Sequence, residues 1–203
     1  MKSQLQPSPE NTQLPPTPEM FWEAFAKVMK LKLNARENYA LKESYDNDRK
    51  WTFFIKNTIE GIIINLGYAM ADLSPEYLRI DYTICRGEST TQWDLDIAIE
   101  HENNPNSWED EFTKLLHINC GLRVLIAYYD NKKPSDENDD ILSKINDKII
   151  CNLSNRKYYQ PDQKWLLIFG PYDLRNEGDF IAYKLEKSKL IKLTEHSIFK
   201  KEI

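Results

Sequence analysis

Glycine is scarce, six in 203 residues, and none falls in a G-x-G-x-x-G, Walker or G-x-S-x-G pattern. Phosphate-cradling glycine loops and a nucleophile elbow are therefore excluded. Net positive charge is lacking too. Lys+Arg number 27 against 32 Asp+Glu, a balance of -5, so the chain does not coat nucleic acid by charge alone. The three cysteines, Cys85, Cys120 and Cys151, are odd in number, far apart and without C-x-x-C or Cys/His ligand spacing. That argues against a zinc finger or disulfide framework and for reduced thiols. No apolar run approaches the roughly 20 residues of a membrane span. The N-terminal MKSQLQPSPENTQLPPTPEM has neither an apolar signal core nor an Arg-rich amphipathic pattern. With 41% hydrophobic residues, the expectation is one soluble, cytoplasmic α/β domain with no membrane partner.

Half of the ten prolines lie among the first 18 residues, so residues 1–17 read as a disordered Pro-rich tail ahead of a single domain over 18–203. Pro18 suits a helix start, and Phe21, Trp22, Phe25, Val28, Met29 and Leu31 recur at helical spacing. A second helix is expected from Asp48 to Leu66, with Trp51, Phe54, Ile55, Ile59, Ile62 and Ile63 on one stripe. Gly67 stops it, and apolarity on all sides near Ile62 to Ile64 implies deep burial. The period then switches to two in Tyr77 to Arg86 and Trp93 to Glu102, separated by GESTTQ, which reads as a hairpin. A short helix follows, capped by Asn106 or Ser107, acidic in its first turn and closed by Gly121. LRVLIAYYD reads as a central strand covered on both faces. A helix over Asp139 to Leu153 and strands in KWLLIFG, DFIAYKLEK and KLIKL complete a mixed central sheet flanked by helices.

The chain's negative charge is concentrated between Asp81 and Glu111, where nine acidic residues meet one basic residue, Arg86. On the second hairpin strand Asp94, Asp96, Ala98, Glu100 and Glu102 share one face, opposite Trp93, Leu95, Ile97 and Ile99. Ionised Glu100 and Glu102, about 7 Å apart, repel by about 2.4 kcal/mol at an effective dielectric near 20, and a third carboxylate on the neighbouring strand adds about 3 kcal/mol. Water on an open face, a shared proton or a bound divalent cation can offset this. Oxygen ligands of this type suit Mg²⁺ or Mn²⁺, which would polarise a phosphate and acidify a bound water. Lys114, the first lysine downstream, can neutralise developing charge.

RIDY on one strand, IAIEHEN at the end of the next, the Lys-Leu of FTKLL on a helix and the buried strand LRVLIAYYD together resemble the core of the PD-(D/E)xK nuclease superfamily, the restriction-endonuclease-like fold. The resemblance covers about residues 50–130 and rests on order and spacing. It implies a DNA phosphodiesterase in which Asp81 and Glu100 bind Mg²⁺ or Mn²⁺ from adjacent strands. Where the family places a lysine two residues after the second acid, this chain has Glu102, a third metal ligand or water-orienting base in this reading. Some members move the lysine to the following helix, which assigns the role to Lys114. Glu60 on the preceding helix is a further acidic candidate. The implied partner is nucleic acid, DNA first, and a homodimeric arrangement stays open.

Register decides whether the acids meet. A tight symmetric hairpin pairs Asp81 with Asp96, whereas pairing Asp81 with Glu100 needs a loop over about Glu88 to Trp93. Lys114 lies roughly 130° from the centre of the stripe formed by Phe112, Leu115, Leu116 and Ile118, so only a long side chain reaching around the helix meets such a site. Plainer readings compete. The acidic face can be a solvated sheet surface, and Lys114 an i,i+4 partner of Asp110 or i,i+3 partner of Glu111. His101 points to the apolar face as a core histidine, while His117 and His196 are isolated. Arg49, Lys50, Lys132, Lys133, Lys187, Lys189, Lys192, Lys200 and Lys201 are ordinary surface charges or a groove for the sugar-phosphate backbone, with Tyr158, Tyr159 and Trp165 as stacking candidates. A non-catalytic binding module of the same fold and an unrelated two-carboxylate glycosidase are the rival functions.

Overall fold

A computed structural model describes residues 14–34, 47–77, 79–85, 95–129, 143, 147, 163–172, 179–186, 189–194, 196 and 198. The chain is an α/β protein, and its described residues form a seven-stranded mixed sheet with the strands in sequence order. Helix α1 spans Pro18–Asn34 and α2 Asp48–Asn65. The strands are β1 Leu73–Tyr77, β2 Ile80–Cys85, β3 Leu95–His101, β4 Leu122–Tyr129, β5 Lys164–Pro171, β6 Ile181–Glu186 and β7 Lys189–Lys192. Helix α3, Trp108–Leu116, joins β3 to β4. Strands β3, β4 and β5 run parallel, and the outer pairs are antiparallel. β4 is buried along its whole length, as its apolar run requires.

The two sides of the sheet are packed by different layers. Phe21, Trp22, Phe25 and Met29 of α1 and Ile55, Ile59 and Ile62 of α2 cover Ile97, Ile99, Val124 and Ile126. Trp108, Phe112, Leu115 and Leu116 of α3 cover Ala98, Leu125 and Ala127 on the other side. Thr17 Oγ1 accepts from the Met20 N–H at the start of α1, and Asn47 accepts from Arg49 and Lys50 N–H at the start of α2. Gly67 ends α2 with φ 82°, a left-handed conformation that suits glycine.

Several expectations are corrected. Leu31, assigned to the stripe of α1, and Ile64, expected to be deeply buried, are 62% and 58% exposed, because each lies on the far side of its helix from the sheet. The expected strand from Tyr77 is two strands. Tyr77 ends β1 and pairs with Ile80, across a turn in which Arg79 takes φ 66°. β1 escaped the period-two reading because it is an edge strand whose side chains are mostly exposed, and its Pro75 is tolerated only at an edge. Gly121 does not close α3, which ends at Leu116 with His117 as cap. Its need for glycine is spatial, since a Cβ there would lie 2.5 Å from Pro15 and 2.9 Å from the Asp96 carbonyl oxygen. Pro15 thus packs against the domain, and Pro16 is buried, although composition placed both in the tail. The helix expected over Asp139 to Leu153 lies outside the described residues except for Ser143 and Asp147, both helical. Among the described residues no helix is long and apolar enough to cross a membrane.

Candidate active site

Strands β2 and β3 pair Tyr82 with Ile99, Thr83 with Ala98 and Ile84 with Ile97. Continuing that ladder by one residue sets Asp81 level with Glu100. The His101 N–H donates to Asp81 Oδ2 at 2.8 Å, which anchors the aspartate beside the end of β3. The register that would oppose Asp81 to Asp96 is not formed. Asp96 instead accepts a 3.0 Å hydrogen bond from the Tyr68 hydroxyl.

The carboxylate-bearing side of β3 is not a solvent face. Ala98 and Glu100 are 0% exposed because α3 lies over this side of the sheet, whereas Asp96, 8% exposed, is skipped where the pairing shifts from Ile84–Ile97 to Cys85–Leu95 and meets Tyr68 of the α1/α2-side core. From α3, Lys114 reaches around the helix as its length allows. Its Nζ is 3.0 Å from Glu100 Oε1, is paired with Glu111 one turn earlier, and donates to the Arg79 carbonyl oxygen at 3.3 Å. Asp81, Glu100, Glu111 and Lys114 therefore share one locus at the end of β3, under α3 and beside the β1–β2 turn.

Glu102 is placed differently. It lies one residue beyond β3, and its Oε1 accepts from the Asn104 N–H at 2.7 Å, closing a local turn. Glu60, half-buried on α2, acts electrostatically on the Tyr82 hydroxyl, whose pKa is pushed up to about 12 chiefly by burial and further by Asp81 and Glu60. Neither carboxylate is paired with Lys114 or Glu100 in the ion pairs of the described residues.

Burial and the adjacent Asp81 charge push the Glu100 carboxyl up to about 8, against the opposing pull of Lys114. Burial also raises Asp81, while the His101 N–H and a hydrogen bond with Glu100 oppose the rise. The rise is the larger at Glu100, because Asp81 receives a backbone N–H and Glu100 Oε2 receives no hydrogen bond. Burial alone would lower the Lys114 pKa, but its bonds to Glu111 and Glu100 outweigh that and raise it.

Beneath the site, the His101 ring faces the α1/α2 side. Its Nε2 lies 2.8 Å from the Tyr128 hydroxyl, which also accepts from the Trp51 indole N–H. Burial lowers the His101 pKa to about 3, so it is a neutral core histidine whose main chain, not its ring, serves the site. Arg123, unremarked within an apolar run, is 0% exposed. Its guanidinium donates to the carbonyls of Leu115, at 2.8 Å, and Ile118, and lies over the Trp165 ring. It ties the C-terminal end of α3, and so Lys114, to β4. A lone arginine in an otherwise continuous hydrophobic strand was the available signal. Trp165 is 0% exposed, which removes it as a platform for unpaired bases; Tyr158, Tyr159, Lys132, Lys133, Lys187, Lys200 and Lys201 lie outside the described residues.

Among the described residues no group of three or more His, Cys, Asp and Glu side chains converges as a ready-made metal cage. A carboxylate pair nevertheless fits Mg²⁺ or Mn²⁺, which commonly binds through one or two carboxylates with water and phosphate completing the shell. Glu100, fully buried with an oxygen lacking any hydrogen bond, is the donor most in need of a cation. No family model matches this chain, and no match emerges among curated proteins or solved structures.

Proposed function

We propose that this protein is a metal-dependent nuclease-like domain that hydrolyses DNA phosphodiester bonds, with a restriction-endonuclease-like core. The observation that carries the reading is the placement of Asp81 beside Glu100 on adjacent strands with Lys114 Nζ 3.0 Å from the glutamate. Asp81 and Glu100 would hold Mg²⁺ or Mn²⁺, which when bound polarises a phosphate and acidifies a water. Asp81 is oriented by the His101 N–H. Lys114, on a partly exposed flexible stem, supplies positive charge to the phosphate undergoing attack. Glu102, bonded to its own turn, orders the loop after β3 in this reading and leaves ligation to the other two acids. The cytoplasm, where magnesium and nucleic acid are both present, is the compartment that fits.

A second reading has an observation of its own. No lysine lies on β3, and Lys114 is paired with two glutamates, as a stable charge network in a non-catalytic DNA- or protein-binding relative would be. Cleavage of end-labelled single- and double-stranded DNA with Mg²⁺ or Mn²⁺ separates the two. The nuclease reading expects metal-dependent products, with Asp81→Asn and Glu100→Gln each reducing the rate by about 100-fold or more. Metal binding without cleavage of any substrate would favour the binding module, and cleavage undiminished in both variants would overturn the assignment of the site.

A further inference from the structure

Lys114 is held by three oxygens of different origin: a carboxylate oxygen of buried Glu100 at 3.0 Å, a carboxylate oxygen of Glu111 one helical turn away, and the main-chain carbonyl of Arg79 at 3.3 Å. A carbonyl and two carboxylates directed at one positive centre form the donor set of a hard-cation site, and here the centre is an ammonium. Glu100 is fully buried on β3, between β2 and β4. The Lys114 side chain is 39% exposed on four methylenes and can swing to solvent.

Resting on the reading that Asp81 and Glu100 are cation ligands, we propose that the Lys114 ammonium occupies the cation's place, and that an entering divalent ion displaces it and takes Glu111 as a further ligand. Once displaced, the lysine remains tethered at the rim of the site, where a phosphate bound to the ion would meet it. Glu111, a half-buried partner of Lys114, becomes part of the binding machinery.

The test is Mn²⁺ binding by titration calorimetry at fixed pH and ionic strength, on the wild type and on Lys114→Met, Lys114→Arg and Glu111→Gln, with circular dichroism to check folding. Removal of the competing charge should tighten Mn²⁺ binding about three- to tenfold in Lys114→Met. Lys114→Arg, which keeps the charge, should bind no tighter than the wild type, and Glu111→Gln should bind about three- to tenfold more weakly. If Lys114→Met does not fold, Lys114→Gln serves the same purpose. Wild-type binding with unchanged or weaker binding in the neutral lysine variants overturns the displacement and leaves the Asp81–Glu100 site standing. Unchanged binding in Glu111→Gln removes Glu111 from the ligand set. No Mn²⁺ binding by the wild type or the neutral lysine variants at millimolar concentration overturns the underlying site as well.

Discussion

At the scale of single residues, two buried titrating groups lie side by side in β3 and pull stability in opposite directions. Glu100 has a folded pKa raised from 4.5 to about 8, so the stability it contributes is complete below 4.5 and is lost as pH rises towards 8. His101 has a folded pKa lowered from 6.5 to about 3; its contribution is complete above 6.5 and is lost as pH falls towards 3. Each slope is at most about 1.4 kcal/mol per pH unit, and between 4.5 and 6.5 they oppose one another. Thermal melting across pH should therefore show a plateau in that interval with a decline on both sides. Asp81, also raised, loses its contribution as pH rises from 3.8. Glu100→Gln is expected to flatten the alkaline limb, and His101→Gln the acid limb. An alkaline limb that persists unchanged in Glu100→Gln would show that the proton is not held there. Divalent cation at pH 8 should restore Tm to the wild type and fail to do so in Asp81→Asn, since binding only to the folded form stabilises it.

At the scale of elements, α3 is held at its two ends by different means. Glu109, Asp110 and Glu111 occupy its first turn, where the helix dipole favours negative charge. At the other end Arg123 satisfies carbonyls of the terminal turn from within the core. Arg123→Ala leaves the Leu115 carbonyl without this donor and opens a cavity against Trp165, an expected loss of about 2–4 kcal/mol and a Tm fall of about 5 °C or more. Because Lys114 is carried by this helix, Mn²⁺ affinity and its response to Lys114→Met should change as well. The β1–β2 turn offers the opposite case. Arg79 stands at φ 66° with an exposed side chain, so Arg79→Gly should raise stability by about 0.5–1 kcal/mol, measured as the urea midpoint at constant m. A lower midpoint would mean that the arginine side chain contributes more than its backbone strain costs. Alternation was readable in β2 and β3 because polar and apolar residues alternate there even though both strands are mostly buried, whereas β1, an edge strand with mostly exposed residues, carries no such pattern.

At the scale of the molecule, seven strands in sequence order place β4 in the middle, flanked by β3 and β5 and covered by helices on both sides. Native-state hydrogen exchange should follow this order. Amides of β4 and the β4-facing amides of β5 are expected to exchange only on global unfolding, while those of β1 and β7, mostly exposed at the sheet edges, exchange by local fraying. Fast exchange throughout β4 would contradict its central place.

Local chemistry determined much of this protein. Helical spacing of large apolar residues marked α1 and α2, an unbroken apolar run marked β4, and the density of acids between Asp81 and Glu111 marked the region of the site. Those signals are legible because they depend on neighbours three or four positions apart, or on burial so complete that polar residues are excluded. Tertiary structure alone decided which acids meet. The register of β2 on β3 set Asp81 beside Glu100 and left Asp96 to Tyr68, and the packing of α3 over that side of the sheet buried Glu100 and brought Lys114 to it. Glu102, identical to Glu100 in type and parity, went to its own turn because β3 ends one residue before it. A charge's role depends on distances across the sheet and on its separation from water, and neither quantity is a property of the chain read in one dimension.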